Sequence, residues 1–152
     1  MAIIHYEWRN KPQRVEINGR AFRFKSLIEY RWAQYLQCLL DLGAILEWDY
    51  EPVTFHFKER YRKKRIYTPD FRVKEEGKYK EIVVFHEVKT SLRQTDIRRF
   101  KYMNMDYPAV KMVLILPYCA KSTKQTILRQ DALKYCETIT FCNPLFKKWG
   151  IK

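Results

Sequence analysis

The sequence has few of the residues typical of disulfide-rich, metal-stabilised or low-complexity proteins. Its 152 residues include only 4 Gly, 6 Pro and 4 Cys, which excludes collagen-like repeats and leaves little room for long flexible linkers. The cysteines form no Cys-x-x-Cys pair and have no histidine at zinc-ligand spacing. We therefore expect reduced thiols rather than disulfides or a zinc site. The four are Cys38, Cys119, Cys136 and Cys142.

Long apolar segments are also missing. No apolar run approaches the roughly 20 residues that a membrane span needs, and residues 1–7 lack the basic-then-apolar layout of a secretory signal. We therefore expect a cytoplasmic protein that does not contact a membrane. The length fits one domain, residues 1–152, that can bury an ordinary hydrophobic core.

Positive charge is what the chain has in excess. It carries 30 Lys and Arg against 17 Asp and Glu, a formal net charge of +13. The excess is uneven, because residues 1–87 carry 17 basic and 13 acidic groups whereas residues 88–152 carry 13 and 4. Such charge predicts affinity for a polyanion through phosphate neutralisation and counterion release. Ribosomal and histone-like proteins share this excess of positive charge, so the charge predicts a class of binding partner but no enzymatic reaction.

The pattern of apolar residues predicts an α/β fold, a mixed β-sheet flanked by helices. Asn18-Gly19 between alternating runs indicates a β-hairpin at residues 15–24. Ser26 and Gly43 are placed to begin and end a helix. The other predicted strands are 45–50, 53–57, 65–68 continuing into 71–73, 80–88, 110–116 and 138–142, and the other predicted helices are about 95–105 and 122–136, before a short tail.

Three charged residues meet where the apolar strand at 80–88 ends. Glu87 and Lys89 point to the same face because side chains alternate along a strand, and His86 points to the other. If the hairpin turns over residues 77–80, Asp70 lies directly across from Glu87. Facing carboxylates repel unless a cation lies between them, and their oxygens suit Mg²⁺.

This grouping suits phosphodiester hydrolysis. Divalent metals held by Asp and Glu activate water and neutralise a phosphoryl oxygen, and a nearby lysine can hold or deprotonate that water. A third carboxylate, Glu29, lies near the start of the first helix. Ser26-x-x-Glu29 is equally a capping box, so helix cap and metal ligand are even alternatives. Alone, Asp70 would be a turn residue and Glu87–Lys89 a surface ion pair.

Two groups of basic residues are candidates for contact with the DNA backbone. The first lies in the run 58–65, which has six basic residues of eight, and the second surrounds the helix that follows Lys89. Such runs are often solvated loops, but next to a phosphodiesterase centre we favour a DNA contact. The candidates are Lys58, Arg60, Arg62, Lys63, Lys64 and Arg65, and then Arg93, Arg98, Arg99 and Lys101.

The chain resembles the PD-(D/E)xK nucleases, whose signature matches Pro69-Asp70 and Glu87-Val88-Lys89. It is most similar to bacteriophage nucleases of the endonuclease I type, which resolve Holliday junctions, and to the nuclease domain of the transposon protein TnsA. The similarity runs from about residue 15 to 116. It includes Gly19-x-x-Phe22-x-x-x-Ser26-x-x-Glu29, Tyr50-Glu51-Pro52 and Tyr67-Thr68-Pro69-Asp70-Phe71.

The resemblance implies a restriction-endonuclease-like core and a catalytic set. By this resemblance, Glu29, Asp70 and Glu87 would bind metal together with the Val88 carbonyl, and Lys89 would assist the attacking water. The implied cofactor is Mg²⁺, with Mn²⁺ able to substitute, and the products are 5′-phosphate and 3′-hydroxyl ends. A homodimer acting in a bacterial or phage-infected cell is also implied, with recombination or transposition proteins as further partners.

The resemblance leaves three alternatives open. We expect an endonuclease for branched or Holliday-junction DNA, but a sequence-specific nuclease of the restriction or transposition type fits the same motif. A non-catalytic nucleic-acid-binding protein on a nuclease scaffold is the alternative from another class. Thr90-Ser91 stands where relatives often have Gly, and the extension at residues 117–152 matches only loosely, so the substrate geometry is open.

Overall fold

The protein is described from a computed structural model, which covers residues 12–58 and 66–152. The described chain has nine strands and four helices. The strands are β1 (Gln13–Ile17), β2 (Arg20–Phe24), β3 (Glu47–Tyr50), β4 (Phe55–His56), β5 (Ile66–Tyr67), β6 (Phe71–Glu76), β7 (Glu81–Val88), β8 (Lys111–Leu116) and β9 (Thr138–Phe141). The helices are α1 (Leu27–Asp41), α2 (Gln94–Asp106), α3 (Thr123–Ala132) and α4 (Cys142–Trp149).

The N-terminal hairpin and first helix follow from local sequence, and both predictions are confirmed. Asn18 and Gly19 both have positive φ, 50° and 77°, as a tight hairpin turn between β1 and β2 requires. The Ser26 side chain accepts a hydrogen bond from the amide of Glu29 and so caps α1. Gly43, with φ 71°, ends the helix in the left-handed conformation that glycine adopts without strain.

A mixed five-stranded sheet forms the centre of the fold, in the order β3-β6-β7-β8-β9. β3, β6 and β7 are antiparallel, and β8 and β9 continue parallel to β7. α2 links β7 to β8, and α3 links β8 to β9. Parallel neighbours need such helical crossovers. The predicted α/β class is therefore confirmed.

Helices cover both faces of this sheet. On one face, α1, α4 and the β1–β2 hairpin enclose a core that includes Trp32, Trp48, Phe71 and Ile115. On the other face, α2 and α3 enclose a second core with Phe85 and other apolar side chains. Because alternate residues of β7 face alternate sides, Val88 belongs to the first core whereas Phe85 belongs to the second.

The C-terminal segment differs from the sequence prediction. The sequence predicts a strand at residues 138–142 followed by a short tail, but residues 142–149 form α4, which packs Cys142 and Phe146 into the same core as α1. Phe141 at the N-cap makes no side-chain cap hydrogen bond, so the usual signal for a helix start is missing. The left-handed Gly150 does mark its end.

No helix among residues 12–58 and 66–152 is long and apolar enough to cross a membrane. All four cysteines are free thiols, as expected.

His86 is buried on the face of β7 that carries α1, away from Glu87, as the strand alternation predicts. Its Nδ1 accepts a hydrogen bond of 3.1 Å from Nε1–H of Trp32. Burial lowers the pKa of His86 to about 4, because the imidazolium would lose its hydration there. The side chain is therefore a neutral acceptor within the core.

We predict that His86 makes stability depend on pH. The unfolded imidazole has a pKa near 6.5, so the unfolded state binds the extra proton first as the pH falls. The contribution of His86 to the free energy of unfolding is therefore constant above about pH 6.5. As the pH falls from there to 4, the free energy of unfolding decreases by about 3 kcal/mol. His86→Gln keeps an acceptor for Trp32 and should flatten the pH profile of urea unfolding over that range. His56 is exposed, so His56→Gln should show the same pH profile as wild type. The same pH dependence of the free energy of unfolding in all three proteins would contradict the role given to His86.

Candidate active site

The register of β6 and β7 brings the two motif carboxylates together. Phe71 pairs with His86, and the hairpin turns over residues 77–80, as predicted. Continuing this register by one residue sets Asp70 opposite Glu87. Both carboxylates are buried, with Asp70 8% and Glu87 2% exposed, so the open end of the hairpin holds two acidic groups out of water.

Glu87 is held by three neighbouring side chains. Its Oε2 accepts a hydrogen bond of 2.6 Å from the hydroxyl of Tyr67, and its Oε1 lies 2.6 Å from Nζ of Lys89. Nη1 of Arg99 lies 3.8 Å from the same Oε1. Burial, and then the charge of Glu87, raises the pKa of Tyr67 well above its usual value. Tyr67 therefore stays protonated and acts as a hydrogen-bond donor that orients Glu87.

Asp70 is held by the backbone and repelled by its neighbours. Its Oδ2 accepts a hydrogen bond of 2.8 Å from the amide of Val88, and Pro69 before it is fully buried. Burial raises the pKa of Asp70 well above its usual value, and the charges of Glu87 and Glu29 raise it further. The Val88 amide and the charge of Lys89 act in the opposite direction but do not outweigh these effects.

Lys89 lies closer to Glu87 than Arg99 does, with its Nζ 2.6 Å from Oε1 of Glu87. Burial lowers its pKa, but the charge and hydrogen bond of Glu87 outweigh this and leave the pKa raised, with Asp70 and Asp96 acting in the same direction. The Lys89 ammonium lies 3.9 Å from Oδ1 of Asp96. Lys89 is therefore held as a charged hydrogen-bond donor rather than a neutral base.

Glu29 lies in the first turn of α1 and interacts through its charge with Asp70. Its Oε2 accepts hydrogen bonds from the amide of Lys25 at 3.1 Å and the hydroxyl of Tyr50 at 2.7 Å, so it caps the entry to α1. It is also 8% exposed and close enough for its charge to raise the pKa of Asp70. Of the predicted capping box, the Ser26 half is present, whereas the Glu29 carboxylate accepts from the amide of Lys25, one residue before the cap. The metal-ligand role of Glu29 stays a prediction.

Sequence reasoning missed several residues of this site. Asp96 is a buried carboxylate in the first turn of α2, and Lys25 forms an ion pair with Glu51 and interacts electrostatically with Asp70. Glu51 adopts φ 47°, rare outside glycine, and its amide donates to the Asp70 carbonyl at 2.8 Å. The positions of Asp96 and Lys25 depend on tertiary packing. No local motif indicates them.

The predicted DNA-binding residues fall into three groups. Lys58 is exposed, and its amide donates to Oδ2 of Asp106 at the end of α2. Arg60, Arg62, Lys63, Lys64 and Arg65 lie outside the described residues. Arg93, Arg98 and Lys101 are exposed on or beside α2, whereas Arg99 turns toward Glu87 and stacks over Tyr67 at 5.2 Å. Arg99 thus belongs to the carboxylate site.

The carboxylates of Asp70 and Glu87 are the side chains of the site that could contribute oxygens to a divalent cation. Among residues 12–58 and 66–152, no group of three or more His, Cys, Asp or Glu side chains is arranged to hold a metal. Mg²⁺ commonly uses one or two carboxylates and completes its shell with water and substrate phosphate. The buried Asp70–Glu87 pair could supply those carboxylates.

Comparison with known proteins identifies a family. A family model described as "Protein of unknown function (DUF1064)" matches residues 8–126, more than three quarters of the chain. The chain belongs to the DUF1064 family. The DUF1064 match includes Glu29, Asp70, Glu87 and Lys89 and ends within α3. No curated protein and no solved structure matches the chain.

We predict that Asp70 lowers the stability of the metal-free protein at neutral pH. Because its pKa is raised on folding, folding is penalised once the pH exceeds the unfolded value near 3.9, and the penalty grows until the folded pKa is passed. Asp70→Asn retains an acceptor for the Val88 amide. It should therefore stabilise the protein at neutral pH by about 1–2 kcal/mol, with the gain fading toward pH 4.

Urea unfolding in chelator measures this difference. Asp49→Asn is the matched control, because Asp49 forms a partly exposed ion pair with Arg20 and such pairs contribute little. A destabilised Asp70→Asn protein at neutral pH would show that Asp70 is not under the repulsion described.

Proposed function

We propose that this protein is a metal-dependent endonuclease that hydrolyses phosphodiester bonds in DNA. The observation that carries the proposal is the buried pair Asp70 and Glu87 at the end of a hairpin, with the Lys89 ammonium 2.6 Å from Glu87. The mixed sheet flanked by helices is compatible with a restriction-endonuclease-like core. The net charge of +13 suits a polyanionic substrate.

The proposed chemistry divides between a cofactor and the chain. Mg²⁺, with Mn²⁺ able to substitute, would be held by Asp70, Glu87 and the Val88 carbonyl, with Glu29 beside them, and would activate water and neutralise a phosphoryl oxygen. Lys89, kept charged by Glu87, donates a hydrogen bond that orients the attacking water and offsets the charge of the transition state. Tyr67 and Arg99 orient the Glu87 carboxylate.

The substrate class rests on the resemblance to junction-resolving phage nucleases. We propose branched or Holliday-junction DNA as the substrate and a cytoplasmic homodimer as the active form, because two strands must be cut. Recombination or transposition proteins are the partners that this function suggests. A sequence-specific nuclease would instead need side chains that contact base edges in the major groove.

Cleavage of a four-way junction and of a matched linear duplex in Mg²⁺ tests the proposal. Glu87→Gln and Lys89→Met should each lower the cleavage rate by about 10²–10⁴-fold, because each removes a group that acts on the reacting water or phosphate. Glu81→Gln is the matched control on the same strand, since Glu81 is exposed and forms an ion pair with Lys74, far from the candidate site along the strand. It should cut like wild type.

The outcomes separate the alternatives. Junction-selective cutting supports the whole proposal, and equal cutting of both DNAs keeps the nuclease but excludes junction selectivity. Salt-sensitive binding by wild type without cutting in Mg²⁺ or Mn²⁺ would contradict the nuclease and favour a non-catalytic binding protein.

A further inference from the structure

A cleft of about 400 Å³ lies between α2 and α3, next to the candidate active site. Its walls combine two cations, one amide and two apolar side chains. The lining residues are Arg93, Gln94, Lys124, Ile127 and Leu128. α2 and α3 cover the same face of the sheet that carries Glu87.

The cations of the cleft have no acidic partner. Both Arg93 and Lys124 are exposed, and within the described parts of the chain neither forms an ion pair. Lys134, just beyond α3, shows the contrast, since its Nζ lies 2.7 Å from Oδ1 of Asp131. The charges of Arg93 and Lys124 thus remain available to an external anion, one from each wall.

The two walls are fixed relative to each other. Gln125 of α3 clamps the backbone of Leu92, because its Nε2 donates to the Leu92 carbonyl at 3.0 Å and its Oε1 accepts from the Leu92 amide at 3.0 Å. Leu92 and Leu128 are both buried in the same core. The cleft is therefore preformed, which reduces the ordering cost of binding a ligand.

A single buried carboxylate connects the cleft to the candidate site. Oδ2 of Asp96 accepts a hydrogen bond of 2.8 Å from the amide of Arg93, and its Oδ1 lies 3.9 Å from Nζ of Lys89. The Arg93 backbone and the lysine of the catalytic set are therefore held by the same side chain. The cleft and the candidate site are therefore linked through one side chain.

We propose that this cleft binds the sugar–phosphate backbone of duplex DNA beside the cleavage position. Arg93 and Lys124 contact phosphates, and the exposed Ile127 packs against deoxyribose. The proposal rests on the nuclease function above and assigns a binding role to α3, which lies entirely within the extension at residues 117–152 that matches known nucleases only loosely. Lys124 and Ile127 are the binding residues that it adds to the basic residues expected from the sequence.

The salt dependence of binding tests the cleft. We would titrate a short fluorescein-labelled DNA duplex in chelator, where no cleavage occurs, over a range of salt concentrations. Removing one phosphate interaction should make the slope of log Kobs against log salt shallower by about 0.9. Arg93→Gln and Lys124→Gln should each show this reduction and bind more weakly. Lys147→Gln, on α4 at the other face of the sheet, removes the same charge and should keep the wild-type slope.

The outcomes distinguish this proposal from the catalytic one. If Arg93→Gln and Lys124→Gln keep the wild-type slope and the protein still cuts DNA, the proposal that the cleft binds DNA is wrong and the nuclease proposal stands. If the slopes are reduced but the protein does not cut DNA, the cleft is a DNA-binding surface and the nuclease proposal is wrong. Equal reductions in all three variants would overturn the cleft, because they would report net charge alone.

Discussion

The repulsion between Asp70 and Glu87 is the constraint on which the site depends. A strand end inside a packed sheet is an unfavourable place for one carboxylate and more so for two, because burial removes the water that screens them. The surrounding structure compensates only in part. Glu87 gains Tyr67 and Lys89, whereas Asp70 gains the Val88 amide and remains under the charges of Glu87 and Glu29.

The neighbouring elements can be understood as support for these two groups. β5 supplies Tyr67, and the first turns of α2 supply Asp96 and Arg99, so the helix that joins β7 to β8 also closes the site. Glu51, directly after β3, is strained, and its amide holds the Asp70 backbone. Backbone strain is commonly retained where function requires one geometry, and here it lies next to the candidate carboxylates.

Much of the fold could be predicted because its determinants are local. Asn18-Gly19 and the Ser26 cap define the hairpin and α1, and the turn at residues 77–80 sets the register that brings Asp70 opposite Glu87. α4 could not be predicted, because its first residues carry no capping signal and its burial depends on packing against α1. Asp96 and Lys25 could not be predicted for the same reason, since only the folded chain brings them to the site.

The central claim is that Asp70 and Glu87 share a divalent cation, and the most direct measurement is the thermal stability of the protein in Mg²⁺. A ligand that binds only the folded state stabilises it by about 2.7 kcal/mol at a concentration a hundredfold above its Kd. The account predicts that Mg²⁺ raises the Tm of wild type beyond the effect of NaCl at equal ionic strength, and that Asp70→Asn abolishes this rise. An equal rise in both proteins, or none in wild type, would contradict it.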